Sequence, residues 1–219
     1  MICIPIQAST LTDLKQKLKK VPGHGDIIEV WIDHLPTNIS AQEIISASQK
    51  PLLIVNKPQR EKGRWVGTEQ ARIDRLKQFA QAGVRYVDIG IDTNPKLINE
   101  LIKNKKRSKI ILSYNNFEKT TSDKRLENIV KKGFQLGADM VKIATFAQKE
   151  EDNITLLNLL KKSKSLAVMC MGKKGKVSRI AGPMLGSQLT FVAANDQTRT
   201  APGQLTLKEY QIIEAIIKS

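Results

Sequence analysis

The sequence alternates eight times between a short apolar run and a longer segment with helical periodicity. The eight runs are Ile2–Ile6, Ile27–Ile32, Pro51–Val55, Tyr86–Ile91, Lys109–Tyr114, Met140–Thr145, Leu166–Met171 and Leu189–Ala194. They are rich in β-branched residues and continuously apolar, which is typical of strands that are covered on both faces. Because a helical segment separates each strand from the next, the strands should be parallel with right-handed crossovers.

The amphipathic segments carry their own start and stop signals. They lie near residues 10–20, 40–48, 68–82, 95–104, 121–136, 148–162, 176–185 and 207–218. Ser40 and Thr68 stand where a helix N-cap is expected, and Pro95 stands in a first turn. Gly83 and Gly137 follow two helices, where a left-handed residue is favoured. We therefore expect a helix after every strand.

Eight strand–helix units without a leftover segment predict an α/β protein with a single (β/α)8 TIM-barrel domain spanning residues 1–219. The alternative is an open doubly wound sheet. The turn after its first strand would need glycines to bind a dinucleotide, and here that turn reads QASTLTD. The barrel is therefore favoured.

Composition limits the environment and the partners. No run approaches the roughly 20 apolar residues that span a bilayer, and the N-terminus does not read as a secretory signal, so we expect a cytoplasmic protein without a membrane partner. Cys3 and Cys170 lie in apolar runs and are expected to be buried free thiols. The net charge of +15 is scattered over helix faces, which favours a solvated basic surface. Nonspecific polyanion affinity is the alternative, and no specific nucleic-acid motif is present.

In a TIM barrel the active site lies at the carboxyl ends of the strands. Lys142 stands inside the otherwise apolar sixth strand, DMVKIAT. Such a lysine is either an ion-pair partner or an amine desolvated for attack on a carbonyl, because burial favours the neutral, nucleophilic form. On the second strand Glu29, Trp31 and Asp33 share one parity.

The loop after the seventh strand offers a weaker signal. Gly172 and Gly175 precede a helix, which is the pattern of an anion cradle, although it is more often a simple turn. Arg179 could add a bidentate clamp for a carboxylate.

Several segments together resemble type I 3-dehydroquinate dehydratase, the Schiff-base lyase of the shikimate pathway and of aromatic amino acid biosynthesis. The most specific are VKIA around Lys142, the run MGKKGKVSRIAGPMLGSQLTF and TAPGQ at 200–204, and SYNNF and YVDIGID also match. The resemblance covers nearly the whole chain. It implies a TIM barrel, a homodimer, no metal, no cofactor, and a small carboxylated ketone as the substrate.

The resemblance also assigns roles to residues. Lys142 matches the imine-forming lysine, and Glu61 matches a loop glutamate near the reacting centre. Arg179, Thr200 and Gln204 match the group that holds the substrate carboxylate, with threonine in place of serine. Glu29 matches the start of a Glu-x-Arg motif on the second strand and is expected to bind substrate.

Four positions depart from the family pattern. Asn115 stands where the family has its acid/base histidine, and an amide cannot accept and return a proton near neutral pH. Trp31 and Lys57 stand at arginine positions, and Gly90 replaces a glutamate. Lys57 keeps the charge and is still expected to bind substrate.

Neither histidine is an obvious substitute base. His24 lies in a loop at the wrong end of the barrel, and His34 has the opposite parity to Glu29.

Three hypotheses follow from the sequence. The first is a dehydroquinate dehydratase with reduced turnover, in which Glu61, Tyr114 or a water replaces the histidine. The second is a lysine-dependent lyase or aldolase acting on another carboxylated ketone. The third is a binding or regulatory protein that keeps the barrel and the anion site without turnover.

Overall fold

A computed structural model describes all 219 residues as one barrel of eight parallel strands surrounded by helices. The strands are β1 Ile2–Gln7, β2 Ile27–Trp31, β3 Leu52–Val55, β4 Tyr86–Gly90, β5 Lys109–Asn116, β6 Met140–Phe146, β7 Leu166–Met171 and β8 Thr190–Phe191. The helices are α1 Leu11–Lys19, α2 Ala41–Ser46, α3 Glu69–Ala82, α4 Pro95–Lys103, α5 Asp123–Gln135, α6 Asp152–Asn158, α7 Lys176–Met184 and α8 Leu207–Lys218. The predicted TIM barrel is confirmed.

The strands pair in chain order, and β1 pairs with both β2 and β8. The strands β7 and β8 do not form a regular ladder. Isolated backbone hydrogen bonds link them, such as that from the Gln188 amide to the Leu166 carbonyl at 2.7 Å. The eighth strand is much shorter than the predicted Leu189–Ala194, because Ala193 pairs instead with the segment that leads into α8. The barrel is therefore nearly closed.

The predicted helix ends are borne out. Ser40 forms a capping box with Glu43, and Thr68 accepts from the Ala71 amide. Gly83 is left-handed, with φ of 88°. The 148–162 segment becomes two pieces, α6 and a 3-10 turn at Leu159–Lys161. None of the helices is long and apolar enough to cross a membrane.

Side-chain parity divides each strand between two cores. One face packs under the helices, where the largest apolar cluster lies. The other face fills the barrel with residues such as Ile27, Tyr86, Ile111, Met140 and Ala167. Two residues further along the strands, the same inward parity brings polar side chains to the mouth, which is how the strands position the site. Cys3 and Cys170 are buried free thiols, as predicted.

Candidate active site

A cavity opens at the carboxyl ends of the strands, with about 600 Å³ of empty space when the solvent at its mouth is included. All eight residues that the sequence singled out as site residues line it. They are Glu29, Lys57, Glu61, Asn115, Lys142, Arg179, Thr200 and Gln204. The structure thus brings together residues that lie as far apart in the sequence as positions 29 and 204.

Lys142 reaches the cavity because it follows Met140 on the inward face of β6. The residue is only 7% exposed, and its ammonium lies 2.8 Å from the carboxylate of Asp88. It also lies 5.0 Å from the centroid of the Phe191 ring, within cation–π range. The ion-pair interpretation of this lysine is therefore confirmed, and its side chain also lines the cavity. Its role as a nucleophile stays a prediction.

Asp88 is the member of the site that sequence reasoning did not single out. It is fully buried on β4 and lies between the Lys142 amine and the Lys57 amine, the latter at 2.6 Å. Burial raises the pKa of this carboxyl, but Lys142 and Lys57 outweigh burial and hold the pKa well below its usual range. A signal was present, because a carboxylate inside the apolar run YVDIG is as unusual as the lysine inside DMVKIAT.

Lys57 and Glu61 extend this chain of charges. The Lys57 ammonium donates to Asp88, to Glu61 at 3.1 Å and to the Ser113 hydroxyl at 3.1 Å. Burial lowers the pKa of Lys57, whereas the two carboxylates raise it and prevail. Asn115 donates to Glu61 across a long 3.4 Å. Lys57, predicted to bind substrate, uses its ammonium on partners within the chain and so positions Asp88 and Glu61.

Arg179 contrasts with both lysines because no carboxylate faces it. It is 2% exposed, and its guanidinium reaches only the carbonyls of Phe191 at 3.5 Å and Pro202 at 3.4 Å. Burial lowers the pKa of Arg179 to about 10. Its Nε atom is buried without a partner. An unpaired buried cation beside a cavity has the chemistry to bind an anionic group.

Gln204 and Thr200 complete the same wall. The Gln204 side-chain oxygen accepts from the Thr200 amide at 2.7 Å and from the Thr200 hydroxyl at 3.3 Å. These bonds fix the orientation of the amide group. Its Nε2 is buried and has no partner, so it is a free donor near Arg179.

Trp31, at the end of β2, forms another part of the cavity wall. Its indole N–H donates to Glu29 at 2.7 Å, so the side chain that replaces the family arginine still holds this carboxylate. Burial raises the pKa of Glu29, and the charges of Lys142 and Lys57 only partly oppose it. Trp31 thus lies within the cavity and is not rotated away from it.

Two polar residues expected near the mouth do not line the cavity. Asp33 accepts the backbone amides of Lys57 at 3.0 Å and Arg64 at 2.8 Å, so it anchors the loop after β3. Tyr114 has outward parity and packs against the helix-side clusters. Tyr114 is therefore excluded as a replacement for the histidine.

For the loop after β7 the structure favours the simple-turn alternative over the anion cradle. The Gly172 amide donates to the Pro202 carbonyl, the Gly175 amide to the Gly172 carbonyl, and the Ser178 amide to Asn153. A Cβ on Gly203 would lie 2.1 Å from the Gly172 oxygen. These three amides thus have partners within the chain, and the loop packs tightly on the segment that carries Thr200 and Gln204.

Comparisons with known proteins agree along the whole chain. The family described as type I 3-dehydroquinase matches residues 2–218. The 3-dehydroquinate dehydratase of Methanococcus maripaludis strain C5 is 35% identical and covers 100% of both chains. That of Pyrococcus abyssi is 33% identical over 99% of this chain and 98% of its own.

Solved structures give the same picture. The type I 3-dehydroquinate dehydratase of Clostridium difficile, crystallised with covalently modified comenic acid, superimposes with a TM-score of 0.87 at 27% identity. The match covers 99% of this chain and 91% of that one. The Aquifex aeolicus enzyme gives 0.83 at 26% identity, covering 99% and 98%.

Proposed function

The chain belongs to the type I 3-dehydroquinase family, and we propose from this membership that it dehydrates 3-dehydroquinate to 3-dehydroshikimate through an imine on Lys142. The observation that carries the proposal is that one cavity contains both a buried amine and an unpaired guanidinium. A buried amine lines one part of its wall, and the unpaired guanidinium of Arg179 lines another. A carboxylated ketone presents one group to each.

Binding orients the ketone. The substrate carboxylate meets Arg179 and the free N–H of Gln204, which Thr200 holds in place. A charge-assisted bond to a desolvated guanidinium fixes both the position and the angle of the anion. The ketone carbon then lies towards Lys142, and the rest of the ring faces Trp31 and Glu29.

The imine forms on Lys142. The Lys142 ammonium, which Asp88 holds in place, releases a proton to solvent, and the resulting amine attacks the carbonyl carbon. The carbinolamine loses its hydroxyl as water and becomes a protonated imine. The positive nitrogen acidifies the neighbouring C–H bond, which is the purpose of covalent catalysis here.

Glu61 then takes the role of acid and base. Its carboxylate accepts the C–H proton and leaves an enamine, whose electron pair expels the hydroxyl group on the next carbon. The proton on Glu61 joins that hydroxyl, which departs as water. A second water hydrolyses the conjugated imine and frees Lys142, so that one water is lost overall.

Borohydride trapping tests the imine. Added together with 3-dehydroquinate, it should reduce the imine and add the mass of the ligand at Lys142. Lys142→Met should give no adduct, whereas Lys109→Met, at the other end of the barrel, should still give one. An adduct with another keto acid but none with 3-dehydroquinate would favour the second hypothesis, and an adduct without any dehydration would favour the third.

A second copy of the chain is the proposed partner, with the cytoplasm as the location. The supporting feature is an apolar face where α7 and α8 meet in one groove. Large side chains lie exposed on these helices and at the residue after α7: Val177, Met184, Leu185, Ile212, Ile216 and Ile217. Contiguous apolar patches of this kind usually mark an interface. Sedimentation should show a dimer that Ile216→Glu dissociates and that Val66→Glu, on a distant loop, leaves intact. A monomeric parent would contradict the assignment.

A further inference from the structure

Gly90, at the end of β4, has no side chain, and the carboxylate of Glu61 fills the space beside it. A Cβ placed on Gly90 would lie 2.5 Å from Oε1 of Glu61 and 3.2 Å from its carboxyl carbon. Real side chains do not approach so closely, so the carboxylate of Glu61 occupies the volume that a strand side chain would need. The φ angle of Gly90 is not positive. Glycine therefore matters here for the space and not for the backbone conformation, and a Cβ at this position would displace the Glu61 carboxylate.

The two oxygens of Glu61 have different surroundings. Oε2 accepts from Lys57 at 3.1 Å and from Asn115 at 3.4 Å. Oε1 accepts no hydrogen bond within the chain and is the oxygen nearest Gly90. One oxygen is thus held in place by the network, while the other is free towards the Gly90 side.

On that side lies a second cavity, here called the side cavity, of about 470 Å³ including the solvent at its opening. It is lined by Arg60, Glu61, Gly90, Asp92, Ser113 and Asn115, with Ile91 as its one hydrophobic residue. Glu61 and Asn115 line the substrate cavity as well. They therefore form the wall between the two cavities, and the side cavity has both the room and the polar partners that water requires.

We infer that Gly90 is a positioning residue, which lets Glu61 exchange protons with solvent through the side cavity while substrate fills the main one. The inference rests on the proposed function, since it concerns the proton that Glu61 removes from the imine. It also explains how the site works with an asparagine at position 115. The amide needs no proton of its own, because it only holds a carboxylate that water can reach from behind.

The exchange step balances simply. Glu61 takes a proton from the carbon beside the imine and becomes a carboxylic acid. It then releases that proton to a water in the side cavity and accepts another from it. In deuterium oxide, return of the second proton to the enamine carbon places deuterium there, and imine hydrolysis gives back labelled ketone.

The experiment follows by NMR the deuterium content at that carbon in the 3-dehydroquinate that remains, relative to a non-exchanging proton of the same molecule, when the parent protein and 3-dehydroquinate are mixed in deuterium oxide. The parent should exchange faster than the enzyme-free background, and Glu61→Gln should reduce exchange to that background. Gly90→Ala should slow exchange about tenfold or more, because it displaces the carboxylate. Gly23→Ala, whose new Cβ meets nothing within 4 Å, is the matched control and should change nothing.

A double-mutant cycle identifies the cause. Glu61→Asp shortens the side chain and removes the clash, so adding Gly90→Ala to it should cost at most about twofold. An equal loss in both backgrounds would overturn the inference, as would full exchange by Gly90→Ala alone. Borohydride trapping at Lys142 shows that each variant remains folded and forms the imine. If the parent traps but does not exchange, this inference alone falls; if it does not trap, the proposed function falls with it.

Discussion

Arg179 and Lys57 are both buried cations that line the same cavity, yet their charges are balanced differently. Arg179 meets only carbonyl oxygens, and burial lowers its pKa to about 10. Lys57 meets Asp88 and Glu61, whose charges outweigh burial and raise its pKa. On the wall near α7 and β8, the positive charge of Arg179 has no anionic partner within the chain. On the wall formed by the ends of β3 to β5, the positive charge of Lys57 is balanced by carboxylates of the chain itself.

This contrast parallels the departures that the sequence resemblance predicts. The resemblance assigns Arg179, Thr200 and Gln204, on the first wall, to the group that holds a carboxylate, with threonine in place of serine. On the other wall it predicts that Asn115 and Gly90 stand at a histidine and a glutamate position. The residues that bind an anion from outside can be substituted in few ways. Residues that balance charges within the chain can change more, provided that each carboxylate keeps a partner.

The largest expected effect comes from Arg179→Gln. Losing the charge-assisted bond should lower kcat/KM for 3-dehydroquinate about 10²–10³-fold, mainly through KM. Steady-state kinetics measures this, with Arg107→Gln, an exposed arginine at the other end of the barrel, as the control. An unchanged KM would mean that the carboxylate binds elsewhere.

Lys57→Met should destabilise the fold, whereas the equivalent change at Arg179 should not. Removing Lys57 leaves Glu61 without its ammonium partner and Asp88 with Lys142 as its only cation beside the Ser113 hydroxyl, and breaking a buried pair costs about 3–5 kcal/mol. The pKa of Asp88 is lower in the folded chain than in the unfolded one. The destabilisation by Lys57→Met should therefore be full at a pH above the unfolded pKa of Asp88, and it should vanish as the pH falls through the folded pKa. Arg179→Met removes an uncompensated charge and should leave Tm unchanged or higher. Thermal melts of both variants at neutral pH test the contrast, and equal destabilisation would refute it.

Asn115→His should raise turnover about tenfold. General acid/base catalysis contributes about 10²–10⁴-fold, but Glu61 already supplies part of it. Asn115→Gln keeps the amide and serves as the control, measured by the ultraviolet absorbance of the conjugated product. If the parent is active and Asn115→His gives no gain, the missing histidine does not limit this site.

Local pattern was enough to predict the barrel and the inward position of Lys142 on β6, because inward parity follows from the strand period alone. Glu61, Thr200 and Gln204 lie outside the strands, and their place in the cavity was predicted from the family resemblance instead. It could not place Glu61 against Gly90. That contact depends on the fold of the loop after β3, which Asp33 anchors by accepting two of its amides. Nor could it reveal that the amides near Gly172 are satisfied by Pro202 and Asn153, since those partners are distant in sequence.

The smallest effect is expected from Glu29→Gln, which probes whether the β2 side of the cavity also carries uncompensated charge. Burial raises the pKa of Glu29, so the folded chain holds this proton more tightly than the unfolded chain does. The resulting stability is complete below the unfolded pKa, near 4.3, and is lost as pH rises through the native value. Glutamine removes that loss and keeps an oxygen for the Trp31 indole.

Melting curves of the parent and Glu29→Gln should therefore coincide at low pH and separate at pH 7, where the variant is more stable by about 2–4 °C for each kcal/mol recovered. Glu118→Gln, on an exposed glutamate, should show no such divergence, and a Glu29→Gln curve parallel to the parent at every pH would place this carboxyl with the neutralised wall of Lys57.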